Sequence, residues 1–145
     1  MLTYGSEESF TVEITNTPGS NNFGILQVNT TANTAINYFT IENTGNCAVD
    51  VVIYGTDVTG GDDTWTLSDT ATPGENIYGL YAGLDDADDL FDVIVKKTAT
   101  YNTLVSGLAE LATQDWGLKI YMPTSLSGYD AQQMTGTITL VASAS

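Results

Sequence analysis

The segment LDDADDLFD holds Asp85, Asp86, Asp88, Asp89 and Asp92 within eight positions. Like charges that close resist folding unless water, salt or a cation relieves them. Ca²⁺ takes about six to eight oxygen ligands and accepts irregular loops, so these carboxylates form a candidate Ca²⁺ site. The spacing is not that of an EF-hand loop, because no glycine stands at the sixth position and no glutamate closes it. A second, weaker candidate is Asp57, Asp62 and Asp63 in GTDVTGGDD. The competing reading of both clusters is a solvated acidic turn that aids solubility.

Other reactive classes close by residue type. The chain has no histidine, which removes Ser/His/Asp and Cys/His nucleophile systems as well as histidine-ligated zinc and non-haem iron. A Ser/Lys pair is formally available, but Lys96 and Lys97 adjoin a strand whose alternation leaves at least one exposed. Glycosidase-type paired carboxylates lack a partner spacing, since most acids sit in turn-like segments. No glycine-rich loop precedes a helix to cradle phosphate. The expectation is that the protein is not an enzyme.

Charge narrows the partners. Eighteen acidic residues face 3 lysines (Lys96, Lys97 and Lys119), giving a net charge of −15. That field repels nucleic acid and anionic lipid, and no arginine fork exists to grip phosphate. Nucleic acid is therefore not expected as a partner. No apolar run reaches the roughly 18 residues of a membrane span, so membrane insertion is not expected either. The opening MLTYGSEES has neither the basic end nor the apolar stretch of a signal peptide, so either a leader has been removed or none was needed. The single Cys47, beside Ala48 and Val49 and far from any cation, reads as a small buried hydrophobe.

The elements that must position these groups are strands. A chain of 145 residues fits one domain, and 42% hydrophobic residues suffice for a core despite the charge. Phe10, Val12 and Ile14 alternate with polar residues, as in a strand covered on one face. The run from Thr17 through Pro18 to Asn22 supplies a loop. Strands are expected over residues 24–28, 36–42 and 49–54, with a tight Asn43-Thr44-Gly45-Asn46 connection whose glycine and asparagines suit the positive φ of hairpin turns. Further strands are expected at 65–68, 77–81, 91–97, 116–122 (ended by Pro123) and 134–141. Leu104, Leu108 and Leu111 are spaced four and three apart, which predicts a short helical turn near residues 103–112. Short, regularly spaced strands define an all-β fold, a single antiparallel β-sandwich of Ig-like or jelly-roll-like type. Residues 1–16 read as an N-terminal arm and 17–145 as the sandwich.

Aromatic residues raise glycan binding as a minor possibility. Trp65 and Trp116 lead apolar strands and belong to the core, leaving Tyr78, Tyr81, Tyr121 and Tyr129 as surface candidates. Asn29-Thr30-Thr31 is a glycosylation sequon in an expected turn, which makes Asn29 a candidate acceptor in an exported protein.

The run FTIENTGNCAVDVVIYGTD resembles the strand, turn and strand of secreted fibre-forming sandwiches, the camelysin-type biofilm-matrix subunits and archaeal bundling pilins. The later WGLKIYMPTSLSGYDAQQMTGTITLVAS is similar to the closing strand pair of the same modules. The resemblance covers residues 36–56 and 116–143 and implies subunits that donate an N-terminal strand to the next subunit's sheet. Here Phe10, Val12 and Ile14 would be the self-assembly residues. The reading is a structural homopolymer in an extracellular filament or surface layer. A virion decoration, capsid or tail component is the alternative, and a carbohydrate-binding module the third possibility.

Overall fold

The computed structural model describes residues 9–128 and 133–145. The described residues are dominated by strand, with helix confined to one short turn at Thr98–Thr100, so the fold is all-β, with curled sheets in a sandwich-like arrangement. Twelve strands are described: β1 (Ile14–Thr17), β2 (Thr31–Asn33), β3 (Phe39–Asn43), β4 (Val49–Gly55), β5 (Val58–Gly60), β6 (Asp63–Leu67), β7 (Ile77–Leu84), β8 (Phe91–Ile94), β9 (Lys96–Lys97), β10 (Asn102–Leu108), β11 (Thr113–Tyr121) and β12 (Ile138–Ala144).

The larger sheet runs β1-β3-β11-β7-β6-β5, with β2 also on β11 and β8 also on β7. The smaller runs β10-β4-β12, with β9 sharing an edge of β4. Alternation explains why these residues face inward. Val49, Val51 and Ile53 of β4 are fully buried, as is Ile41 of β3, while Leu80 and Ala82 of β7 and Trp116 and Leu118 of β11 close the same core. Phe39 stacks on Trp116 with ring centroids 4.6 Å apart, and the indole N–H donates to Asn16 Oδ1 at 2.8 Å. That bond ties β1 to the centre of the larger sheet.

On the reverse face of β7 and β11, Gly79, Gly83 and Gly117 are buried because other segments cross them closely. A Cβ on Gly83 would lie 2.3 Å from the Leu90 carbonyl oxygen, and one on Gly117 would lie 2.4 Å from that of Ala35. Only glycine admits such an approach.

Three local expectations are corrected. Residues 103–112 are not a helical turn: Asn102–Leu108 is strand β10, and the leucine spacing comes from bulges. Its register on β4 shifts between Thr103 and Val105 and again between Val105 and Leu108, which brings Leu104, Val105 and Leu108 all inward. Gly107 takes φ +64° within that irregularity, and Leu111 is left exposed. Residues 24–28 form no strand, and Ile25 there is fully exposed. The segment from Asn43 to Asn46 is not a hairpin but an arch, since β3 belongs to the larger sheet and β4 to the smaller.

Gly45 serves close approach in that arch rather than positive φ, because a Cβ there would fall 2.1 Å from the Thr11 carbonyl oxygen. Asn43, fully buried, locks the arch from inside. Its Nδ2 donates to the Cys47 and Leu108 carbonyls at 2.8 and 2.9 Å, and its Oδ1 accepts from the Gly45 N–H at 3.1 Å.

Candidate functional site: the N-terminal arm, the open seam and the acidic turns

The expected N-terminal strand is regular only over Ile14–Thr17, where β1 pairs antiparallel with β3, so the strand straddles the boundary expected at residue 16. Residues 9–13 lie instead on the arch. Thr44 and Gly45 N–H groups donate to the Glu13 carbonyl at 3.0 and 3.1 Å, and Asn46 N–H donates to the Thr11 carbonyl at 3.1 Å. Asn46 completes the seat with its side chain, accepting from Thr11 N–H at 2.7 Å and donating from Nδ2 to the Ser9 carbonyl at 2.9 Å.

Main-chain bonds hold this segment while its apolar side chains point away. Phe10 is 69% and Val12 40% exposed, and of the three self-assembly candidates only Ile14 packs against the core. Cys47 also packs there, half-buried, with its Sγ 3.8 Å from the Thr11 carbonyl oxygen.

Beside the arm the sandwich is open. β1 ends the path of the larger sheet and β12 that of the smaller. Between them runs a groove of about 340 Å³ lined by Ile14, Asn16 and Gly19 on one side and Ile138, Thr139 and Leu140 on the other. A seam of mixed apolar and polar lining between two edge strands suits an extended segment, which can supply main-chain bonds to the edge and alternate side chains to the groove.

The acidic residues divide by position. Asp85, Asp86, Asp88, Asp89 and Asp92 sit in and after the β7–β8 connection, all exposed. Asp86 Oδ1 accepts from the N–H groups of Asp88 and Asp89 at 3.0 and 3.2 Å, and Asp89 Oδ1 accepts from Asp86 N–H at 3.1 Å. The turn thus uses two of its carboxylates to satisfy its own backbone. Partial loss of water, together with the carboxylates of Asp89, Asp115 and Asp86, pushes the Asp85 carboxyl above its ordinary value.

Asp57, Asp62 and Asp63 do not act together. Asp62 lies in the β5–β6 connection and Asp63 opens β6, while Asp57 pairs with Lys97 Nζ at 3.0 Å and accepts from Leu67 N–H at 2.8 Å. Desolvation raises the Asp57 carboxyl, but the Leu67 bond and the Lys97 ammonium outweigh it and hold the group below its usual range. Next to it, the Tyr78 hydroxyl donates to the Thr56 carbonyl at 2.5 Å, and burial with the nearby Asp57 charge pushes that phenol well up. Among the described residues, no three His, Cys, Asp or Glu side chains come together as a metal-ligating group.

Tyr78, read as a surface aromatic, is 2% exposed and belongs to the core, because it shares the inward face of β7 with Leu80 and Ala82. Tyr81 and Tyr121 are half-buried neighbours in edge-to-face contact at 5.6 Å, with Lys119 Nζ 5.1 Å from the Tyr121 centroid. Two rings at 63° are not a flat stacking platform. Tyr129 lies outside the described residues. Asn29 is exposed in a turn at φ 57°, its own N–H bonded to the Pro123 carbonyl at 2.8 Å. No helix of the described residues is long and apolar enough to cross a membrane.

Comparison with family models, characterised proteins and solved structures finds no match to the chain.

Proposed function

We propose that this chain is a non-enzymatic structural subunit that assembles with copies of itself into an extracellular filament or surface layer, with the N-terminal arm making the contact. The carrying observation is the arm itself: residues 9–13 are seated by main-chain bonds to the arch while Phe10 and Val12 stay largely exposed, and the adjoining β1 lines an open groove. Burying the exposed parts of those two side chains in a neighbour would contribute about 3 kcal/mol before the cost of association. The acidic turns keep so charged a polymer hydrated. At millimolar concentration Ca²⁺ gathers weakly at the Asp85–Asp92 turn, where one divalent ion offsets several carboxylates.

Deleting residues 1–13, which spares β1, should leave a folded protein that no longer assembles and that takes up a synthetic peptide of the missing sequence. Assembly of the truncated protein indistinguishable from that of the full chain would remove the arm from the account.

A further inference from the structure

We infer that β12 is a self-pairing edge, and that two copies of the chain join antiparallel through it. The inference deepens the reading of the chain as a self-assembling subunit and rests on it.

Exposed sheet edges template unwanted pairing, and proteins blunt them with short strands, bulges, charges or proline. Most edges here carry such a device. β1 has four residues and runs directly into Pro18, and β2 has three. β5 is three residues long and capped by reciprocal bonds of 2.9 Å between Thr59 and Thr135. β8 carries Asp92, and β9 is Lys96–Lys97. β10 is broken by two register shifts, and its Gly107 N–H is taken by Asp50 Oδ1 at 2.7 Å.

β12 has none of these devices. It runs seven residues in unbroken register from Ile138 opposite Gly55 to Ala144 opposite Val49, with no charge and no proline. No other strand pairs its outer edge among the described residues.

Charge selects the occupant. Copies of a −15 chain repel one another, yet no charged residue occurs from Ala131 to Ser145 or from Ile14 to Ile41. The seam of β1 and β12 is therefore where two copies approach at least electrostatic cost.

Backbone polarity fixes the pairing. Ser145 N–H donates to the Ala48 carbonyl, so the odd-numbered residues of β12 turn their backbone groups toward β4. Ile138, Leu140, Ala142 and Ala144 turn theirs outward. Antiparallel self-pairing about Val141 sets Leu140 opposite Ala142 of the second copy and Ile138 opposite Ala144, exchanging those outward groups. The two Val141 residues then meet as a pair without mutual hydrogen bonds, the closer of the two antiparallel spacings. Ala144 and Ala142 of the second copy then lie beside Ile138 and Leu140, which line the groove together with Ile14. Such a contact is isologous and closes on itself, whereas arm donation runs head to tail, so the two together propagate a polymer.

The test uses the full chain in sedimentation velocity over a range of concentrations. Wild type should contain a dimer that Val141→Lys and Val141→Glu each lose, since either places like charges face to face. An equimolar mixture of the two variants should recover it. Val141, 44% exposed on the outer face, tolerates both changes. In a Cys47→Ser background, Val141→Cys should oxidise to a covalent dimer, because the close pair lies within disulfide reach. A wild type monomeric throughout, unaltered association of both charge variants, or a mixture that stays monomeric would each overturn the inference, as would a Val141→Cys protein that remains uncrosslinked. Dimers that never form longer species would refute the filament while leaving this edge intact. Filaments formed equally well by Val141→Lys would do the reverse.

Discussion

Replacing Gly45 by alanine should release the arm without removing it. Gly45 lies outside the positive-φ region, so alanine strains no backbone there, but its Cβ would sit 2.1 Å from the Thr11 carbonyl oxygen and 3.0 Å from the Glu13 nitrogen. Both are main-chain atoms of the arm, and only displacement of the arm relieves the overlap. Displacement breaks the bonds of Thr44, Gly45 and Asn46 N–H to the arm carbonyls, and the two made by the Asn46 side chain. Water replaces each partner, so each bond nets about 0.5 kcal/mol and the seat is worth roughly 2–3 kcal/mol. That corresponds to about 30- to 150-fold in the equilibrium between seated and free arm. Hydrogen exchange at the Thr11 and Asn46 amides should accelerate by that factor. If the arm works in a neighbour, seating at home competes with donation, so Gly45→Ala should also lower the concentration at which assembly begins. Unchanged exchange at both amides would refute the seat, and unchanged assembly with fast exchange would refute the competition.

Asn43→Ala should cost about 3–5 kcal/mol, because it strands the Cys47 and Leu108 carbonyls and one Gly45 N–H bond in the interior; urea unfolding followed by tryptophan fluorescence measures it, and a loss under about 1 kcal/mol would contradict the clamp. Asp57 has a depressed pKa, so the stability it contributes is present above the ordinary carboxylate range and lost as pH falls through the lowered value. Asp57→Asn should flatten that acid limb of the melting-temperature profile, and by less than about 1 kcal/mol because the ion pair is more than a third exposed. Asp85 has the opposite sign: its raised pKa means the folded state holds the proton longer, so its ionisation lowers stability as pH rises, and Asp85→Asn should raise the melting temperature at neutral pH. Ca²⁺ at about 5 mM, with a Kd near 1 mM, should stabilise by about 1 kcal/mol beyond monovalent salt at matched ionic strength. Identical melting curves in calcium and in chelator would reduce the turn to solvated carboxylates.

Period-two alternation made the strands legible. Val49, Val51 and Ile53, and likewise Trp116 and Leu118, face inward as the pattern requires. Pattern failed where a tertiary contact set the geometry. Two bulges in β10 mimic helical spacing in Leu104 and Leu108, and a bulge is visible only once the partner strand is known. Asn43-Thr44-Gly45-Asn46 carries turn residues for an arch between sheets as readily as for a hairpin, and only the position of Thr11 explains its glycine. The acidic run marked the β7–β8 turn, but not that Asp86 and Asp89 would bind backbone N–H groups. The β12 edge did leave a sequence signal, the uncharged stretch from Ala131 to Ser145 in so acidic a chain. Its meaning depended on learning that β12 ends a sheet.

Negative-stain electron microscopy of the purified full chain, beside the protein lacking residues 1–13, tests self-assembly most directly. The account predicts regular polymers from the full chain and none from the truncated protein under the same conditions. Dispersed single particles from both, at every concentration tried, would contradict it.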